Sequence, residues 1–424
     1  MNPILQVLLF VALVTLASKG AGLLSTRFGQ PAVFGEILAG LVLGPSLLNI
    51  LNWGIFAPRS GVEGLHADLS GVVQTLAEIG VILLMFVAGM ETDLGEMRRV
   101  GRVAFWAAFG GVILPLGSGA AAAHLFGYGW GEGFFMGAVL TATSVSISAQ
   151  TLMELKALRS KEGSTILGAA VIDDVMGIIV LSLVVAFAGH AGPQRAAGAA
   201  VLWVCVRMTL FFSLAWFVGR RYFEPAAAVA TRLGVSEPLM AFVVAAVFLY
   251  AWAAEYLGGV AAITGSYLAG VLFGQTSFKE RIDRGVHPLT YSFFVPVFFI
   301  NIGLRADVRQ IAGELPLVLF VLAVAVLGKV IGCGACAWLS GFRYREALRV
   351  GVGMISRGEV GLIVAGYGLA HGIIGADIFS VMVLVVLITT MITPVWLRFV
   401  IPPAPGDGTP ALFESVAHLE RRDD

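Results

Sequence analysis

Charge is what this sequence has least of. Only 13% of its 424 residues are Asp, Glu, Lys or Arg, against about a quarter in an average soluble domain. With 58% hydrophobic residues and a mean hydropathy of +0.90, the composition excludes a soluble globular enzyme and implies a polytopic helical membrane protein. Formal net charge is zero, which removes any global case for nucleic-acid binding. Cysteine is also scarce. Cys205, Cys333 and Cys336 all lie in apolar stretches. Cys333-Gly-Ala-Cys336 has no second pair with which to hold a metal, and small residues packing between helices is the simpler reading. The N-terminal MNPILQVLLFVALVTLAS has no basic residue before Lys19. It lacks the charged start of a signal peptide and reads as a retained first span.

Long hydrophobic runs, by contrast, fill the chain. A helix needs about 20 mostly apolar residues to cross the hydrocarbon core. On that length thirteen spans are predicted: 3–18, 31–49, 71–90, 103–126, 134–153, 164–189, 198–219, 238–256, 260–275, 288–304, 315–340, 348–370 and 379–399. Between them, basic residues fall overwhelmingly on one side. That side receives 20 Lys and Arg, in clusters such as Arg98-Arg99-Arg102, Lys156-Arg159-Lys161 and Arg343-Arg345-Arg349. The other receives only Arg59, Arg195, Arg305 and Arg309. Such an asymmetry places the basic side in the cytoplasm, so the N-terminus is predicted outside and the C-terminus inside. Residues 401–424 form a short, Pro-Gly-rich and charged cytoplasmic tail.

Charged side chains inside spans cost roughly 2.5–3.5 kcal/mol each on insertion scales, which makes each a functional candidate. Asp173 and Asp174 lie near the midplane of the sixth predicted span, and Lys329 sits at similar depth in the eleventh. Arg357 and Glu359 share the twelfth, while Glu36 and Glu78 are the remaining acidic candidates. Adjacent helical residues point about 100° apart, so one aspartate can face a partner helix while the other faces a cavity. One ion pair would suffice to tie helices together; a second carboxylate indicates a site. Two acids of different environment and one titratable base can hold either protons or a small cation, and competition between the two is the minimum machinery for exchange.

A hard monovalent cation takes oxygen ligands. The run TATSVSISAQ, 141–150, supplies Thr141, Thr143, Ser144, Ser146, Ser148 and Gln150. Hydroxyls bonding back to their own helix are one reading; an unwound segment that completes a cation site is the other. GVGMISRGEVGLIVAGYG, 351–368, carries glycines at 351, 353, 358 and 361 and also reads as an interrupted helix. Interrupted spans in both halves of a transporter point to a midplane site.

Four stretches in order, QPAVFGEILAGLVLGPSLL (30–48), LLMFVAGMETDL (83–94), VIDDVMGIIVL (171–181) and MISRGEVGLIVA (354–365), resemble the monovalent cation:proton antiporter-2 family over nearly the whole chain. The resemblance implies an all-α polytopic membrane protein of about 13 transmembrane helices, an inverted-repeat antiporter fold with two broken crossing helices. Residues 1–400 would be one sodium/proton exchanger transmembrane domain with interleaved core and dimerisation subdomains, working as a homodimer by an elevator-type movement in the cell (inner) membrane. Asp174 matches the family's main cation- and proton-binding carboxylate, and Asp173 the preceding carboxylate, which pairs with a lysine where Lys329 stands. Thr143 and Ser144 match broken-helix positions near the transient Na⁺ site. Arg357 and Glu359 match a structural charge pair that offsets half-helix dipoles.

The expectation is therefore a transporter and not an enzyme. It would have no cofactor, exchange Na⁺ or Li⁺ for H⁺, and have the lipid bilayer, a monovalent cation, protons and a second copy as partners. A K⁺/H⁺ antiporter or K⁺ efflux protein of the same family is the alternative. Asp173, where K⁺ efflux members usually carry Gln, and the short tail, where they carry a nucleotide-binding domain, weigh against it. A cation channel is more remote, because no filter loop is present. An intramembrane aspartyl protease needs two carboxylates sharing a proton, and neighbours on one helix diverge.

Overall fold

The computed structural model describes residues 3–28, 30–56, 69–187, 195–232, 234–305, 315–370 and 372–401. Among them there are only helices, turns and irregular segments, with no strand. The first half runs α1 (Pro3–Arg27), α2 (Ala32–Leu43), α3 (Leu69–Glu91), α4 (Leu94–Leu125), α5 (Trp130–Thr141), α6 (Val145–Glu154) and α7 (Lys161–Phe187). The long α8 (Arg195–Ala230) follows. The second half runs α9 (Pro238–Ala253), α10 (Ala262–Phe273), α11 (Lys279–Leu289), α12 (Val295–Leu304) and α13 (Leu315–Leu339). It ends with α14 (Tyr344–Gly353), α15 (Glu359–Ala370) and α16 (Ala376–Val400). The predicted tail beyond Ile401 lies outside the described residues.

Helix is the only open-ended element that satisfies its own backbone in lipid, and side chains such as Leu16, Leu210 and Phe217 remain exposed on its outer faces. Among the described residues, ten helical stretches are long and apolar enough to cross a membrane, with α5–α6 and α11–α12 each taken as one and α9 taken to Gly258. Three shorter apolar ones, Ala32–Leu43, Ala262–Phe273 and Val360–Leu369, fall in the second, ninth and twelfth predicted spans. At about 1.5 Å per residue they rise only half to two-thirds of the hydrocarbon thickness. The ten long stretches thus cover ten of the thirteen predicted spans. The split at Gly258-Gly259 is present: a π-helical turn over Ala254–Gly258 ends the ninth helix, and Gly259 adopts φ +69° before α10 starts. Arg98, Arg99 and Arg102, predicted to sit in a loop, lie instead in the opening turns of the 32-residue α4, whose N-terminus Asp93 caps.

The helices pack in two groups. α4 lies against α5, α7 and α13, and α13 extends that group to α14 and α16. α2 lies between α1 and α12, while α10 lies between α3 and α9. Each group contains a place where two backbones touch. A Cβ on Gly110 of α4 would stand 2.2 Å from the Gly332 carbonyl oxygen of α13, and one on Gly270 of α10 would stand 2.1 Å from the Phe86 carbonyl of α3. Only glycine allows that approach, and small residues at helix contacts substitute for the hydrophobic drive that lipid removes. Cys333 and Cys336 line the α4 contact, beside Gly111 and Gly110.

Gly110→Val is expected to wedge α4 from α13 and destabilise the protein by about 1–3 kcal/mol. A lowered melting temperature of the detergent-solubilised protein would show it; an unchanged one would mean that the spacing does not depend on this glycine.

Candidate functional site

Two helices are interrupted where the sequence led us to expect it. Between α5 and α6, residues 142–144 are non-helical, with Ala142 at φ −56°, ψ 134° and Ser144 at φ −85°, ψ 106°. Between α14 and α15, residues 354–358 leave the helix. Each break frees N–H and C=O groups in a largely buried place, where they need protein partners. They find each other. The Ser144 N–H donates to the Ser356 carbonyl at 2.8 Å, and the Ser356 hydroxyl donates to the Ser144 carbonyl at 2.8 Å. Ser148 Oγ adds bonds to the Gly353 carbonyl, 2.6 Å, and to Ser356 Oγ, 2.8 Å. Gly358 makes room for this contact, because a Cβ there would stand 2.6 Å from Ser144 Oγ.

Helix C-termini carry partial negative charge, and Arg357 meets it at both breaks. The side chain is wholly buried. Its Nη1 donates to the Ile355 carbonyl just beyond α14, 2.7 Å, and its Nη2 to the Leu140 carbonyl in the last turn of α5, 2.7 Å. Nη2 also reaches the Ala325 carbonyl of α13 at 3.0 Å, and Thr390 of α16 donates to the Arg357 carbonyl. One guanidinium, with its fixed fork of donors, therefore joins both half-helices to a third helix.

Beside this crossing stands α7 with its two aspartates. Lys329 Nζ lies 2.9 Å from Asp173 Oδ2, and both side chains are buried to within 1%. Thr143, from the first break, donates to the same oxygen at 2.5 Å. Asp173 Oδ1 is buried and accepts no hydrogen bond from the described residues. Asp174 points elsewhere, as the helical angle requires. Its Oδ2 accepts the Thr264 hydroxyl of α10 at 3.1 Å. A lysine–carboxylate pair, a hydroxyl, a second buried carboxylate and a carboxylate oxygen without a protein donor make a set rich in hard oxygen ligands. Such a set suits a small monovalent cation or a proton.

Comparison with known proteins gives the family. A profile described as "Sodium/hydrogen exchanger, transmembrane" matches residues 9–401. The chain belongs to the sodium/hydrogen exchanger family. This exchanger is 37% identical to the Na(+)/H(+)-K(+) antiporter GerN of Bacillus cereus over 389 residues, 92% of this chain and 95% of the relative. It is 32% identical to a Na(+)/H(+) antiporter of Enterococcus hirae, covering 92% of this chain and 96% of the relative. It is likewise 32% identical to the high-affinity Na(+)/H(+) antiporter NhaS3 of Synechocystis sp., with coverage of 95% and 92%. In fold it is similar to the sodium proton antiporter MjNhaP1 of Methanocaldococcus jannaschii, with a TM-score of 0.68 at 14% identity over 95% of this chain and 98% of that one. The exchanger is thus a multi-pass membrane protein of a transporter family.

Of the residues singled out in the sequence, the exchanger brings Asp173, Lys329 and Thr143 together, with Asp174 next along α7 and bonded to Thr264. Ser144 is adjacent but turned to the other break and to Ser146 Oγ, 3.1 Å away. The Glu359 backbone opens α15, while its side chain lies outside the described residues. Glu36 is buried on α2, 3.8 Å from Lys19, and Glu78 is exposed on α3, bonded to Gln74 at 2.8 Å. Neither joins the site. Thr264 and Ser356 were missed. Each was marked only by a nearby glycine, Gly259 before a short helix and Gly358 at the break.

Every carbonyl that Arg357 leaves bare costs roughly 1–3 kcal/mol. Arg357→Ala is therefore expected to lower the melting temperature further than Gly110→Val, with Arg357→Lys in between. Arg357→Ala melting with the parent protein would remove the capping role.

Proposed function

We propose that the chain is a secondary active antiporter exchanging Na⁺ or Li⁺ for H⁺ by alternating access. The observation that carries this reading is the wholly buried Asp173–Lys329 pair beside the second buried carboxylate of Asp174. Asp174 is the carrier: it holds a proton in one half of the cycle and a cation in the other, never both. Thr143 and Asp173 Oδ1, which accepts no hydrogen bond from the described residues, are the further oxygens offered to a cation that has lost its water. The Asp173–Lys329 pair breaks when the site loads, which lets a second proton be handled. Handling that second proton would make transport sensitive to the membrane potential. Ser144 serves by holding the first break in place through Ser356, and Arg357 by offsetting the half-helix ends, a task shared with Glu359.

The helix group of α4–α7 and α13–α16 is the moving core, and α1–α3 with α9–α12 is the fixed, dimer-forming scaffold, with α8 linking them. The N-terminus lies outside and the C-terminus in the cytoplasm, in the cell (inner) membrane, as the placement of basic residues supports. The relatives named as Na⁺/H⁺ antiporters support the Na⁺ assignment. The name of GerN includes K⁺, so K⁺ belongs in the assay as the second candidate.

Sealed proteoliposomes with an imposed proton gradient and a pH dye test the reading. Na⁺ or Li⁺ is expected to collapse the gradient with wild-type protein and not with Asp174→Asn. Equal responses from the two proteins, or none with any of Na⁺, Li⁺ and K⁺, would remove Asp174 as carrier.

Lys329→Gln is expected to keep some exchange but lose most of its dependence on membrane potential, measured with a valinomycin-set potential. Voltage dependence equal to wild type would sink the role given to the lysine.

A further inference from the structure

An antiporter is useful only if its carrier does not cross empty. An empty carrier that returned would turn exchange into a proton leak and a cation leak. Something must therefore hold the unloaded site in place and let go when it is loaded. The Asp173–Lys329 pair cannot do this, because both residues sit on helices of the same group, α7 and α13. The Thr264–Asp174 hydrogen bond, 3.1 Å, runs between the groups. α7 packs with α4, α5 and α14, whereas α10 packs between α3 and α9 and is pinned to α3 by the Gly89–Gly270 contact, where a Cβ on either would stand about 3.0 Å from the other's Cα.

We propose that Thr264 is the anchor that couples movement of the carrier to its loading. This rests on the reading of Asp174 as carrier and of α10 as scaffold. Thr264 is buried in the first turn of the 12-residue α10, which begins at Ala262 after the Gly258-Gly259 break. Unloaded Asp174 is a carboxylate. It accepts a charge-assisted bond from the hydroxyl, roughly twice as strong as a neutral one, and it lies at the end of a helix whose first turn favours negative charge. Both attractions act only on the anion. A bound proton or cation neutralises the carboxylate, weakens both, and frees α7 to slide past α10. Thr264 is a positioning residue: it carries nothing, and it decides when the carrier travels.

The test uses wild type, Thr264→Val, Thr264→Ser and the double variant Thr264→Val with Asp174→Asn, reconstituted in sealed liposomes. Valine keeps the shape and removes the hydroxyl. The readout is dissipation of a proton gradient when an impermeant organic cation replaces Na⁺, Li⁺ and K⁺, with ²²Na⁺ release in the absence of a proton gradient as a second readout. Loss of a hydrogen bond to a charged group is expected to raise the cation-independent leak about tenfold or more. Serine should return it to the wild-type level, and the double variant should abolish it, because the leak runs on Asp174. A Thr264→Val protein as tight as wild type, a leak that serine does not correct, or a leak that survives Asp174→Asn would each overturn the anchor. Thr264→Ala gives the same discrimination if the valine variant is not recovered from membranes. The exchange reading fails separately, and takes the anchor with it, if wild type and Asp174→Asn collapse the gradient alike when Na⁺ is added.

Discussion

Everything at the centre of this molecule follows from one constraint: a helix broken inside a membrane has nowhere to put its loose backbone groups except against another broken helix. The crossing is largely buried, and each unsatisfied group costs kilocalories. The two breaks meet that demand reciprocally, Ser144 to Ser356 and Ser356 to Ser144. Arg357 covers the carbonyl ends that remain. The crossing is therefore self-supporting, and it leaves Thr143 free to turn to Asp173.

The ion pair depends on that scaffold and is not there for stability. Burying a lysine and an aspartate costs about as much in desolvation as their attraction returns, and apolar residues of similar size would often serve the fold as well or better. Lys329 reaches Asp173 only because α4 and α13 approach backbone to backbone at Gly110 and Gly332, close to the lysine stem that passes Gly111. Small residues set the spacing, the spacing sets the pair, and the pair keeps charge at a depth where charge is otherwise excluded. A second carboxylate next to such a pair is mechanically useful only if it can change its state. That is why Asp174, held across the groups by Thr264, has a different role from its neighbour.

Much of this was legible in one dimension, and the reason is the solvent. Lipid punishes charge and unpaired backbone so severely that composition, run length and the 20-to-4 distribution of basic residues carry more information than in a soluble protein. Asp173, Asp174, Lys329 and Arg357 stood out because nothing ordinary explains charge at that depth. Uncharged partners had no such signal. Thr264 and Ser356 are ordinary hydroxyl residues of predicted spans, where a hydroxyl could equally have bonded to its own helix. Charge in a span was also an imperfect guide, since Glu78 lies on an exposed face of α3 and Glu36 pairs with Lys19 away from the site.

The sequence by itself determined that the chain is helical, that it lives in a bilayer, which residues bear charge within its spans, and which two spans were candidates for interruption. Those are local properties, decided by the transfer of each residue between water and hydrocarbon. Only the tertiary structure decided that Lys329 takes Asp173 and not Asp174, that Ser144 serves the crossing and Thr143 the carboxylate, and that Thr264 of a distant helix meets the second aspartate. Each of those choices depends on where one helix lies relative to another. That placement is set by glycine contacts and crossing backbones, whose energies belong to pairs of helices and to no single stretch of chain.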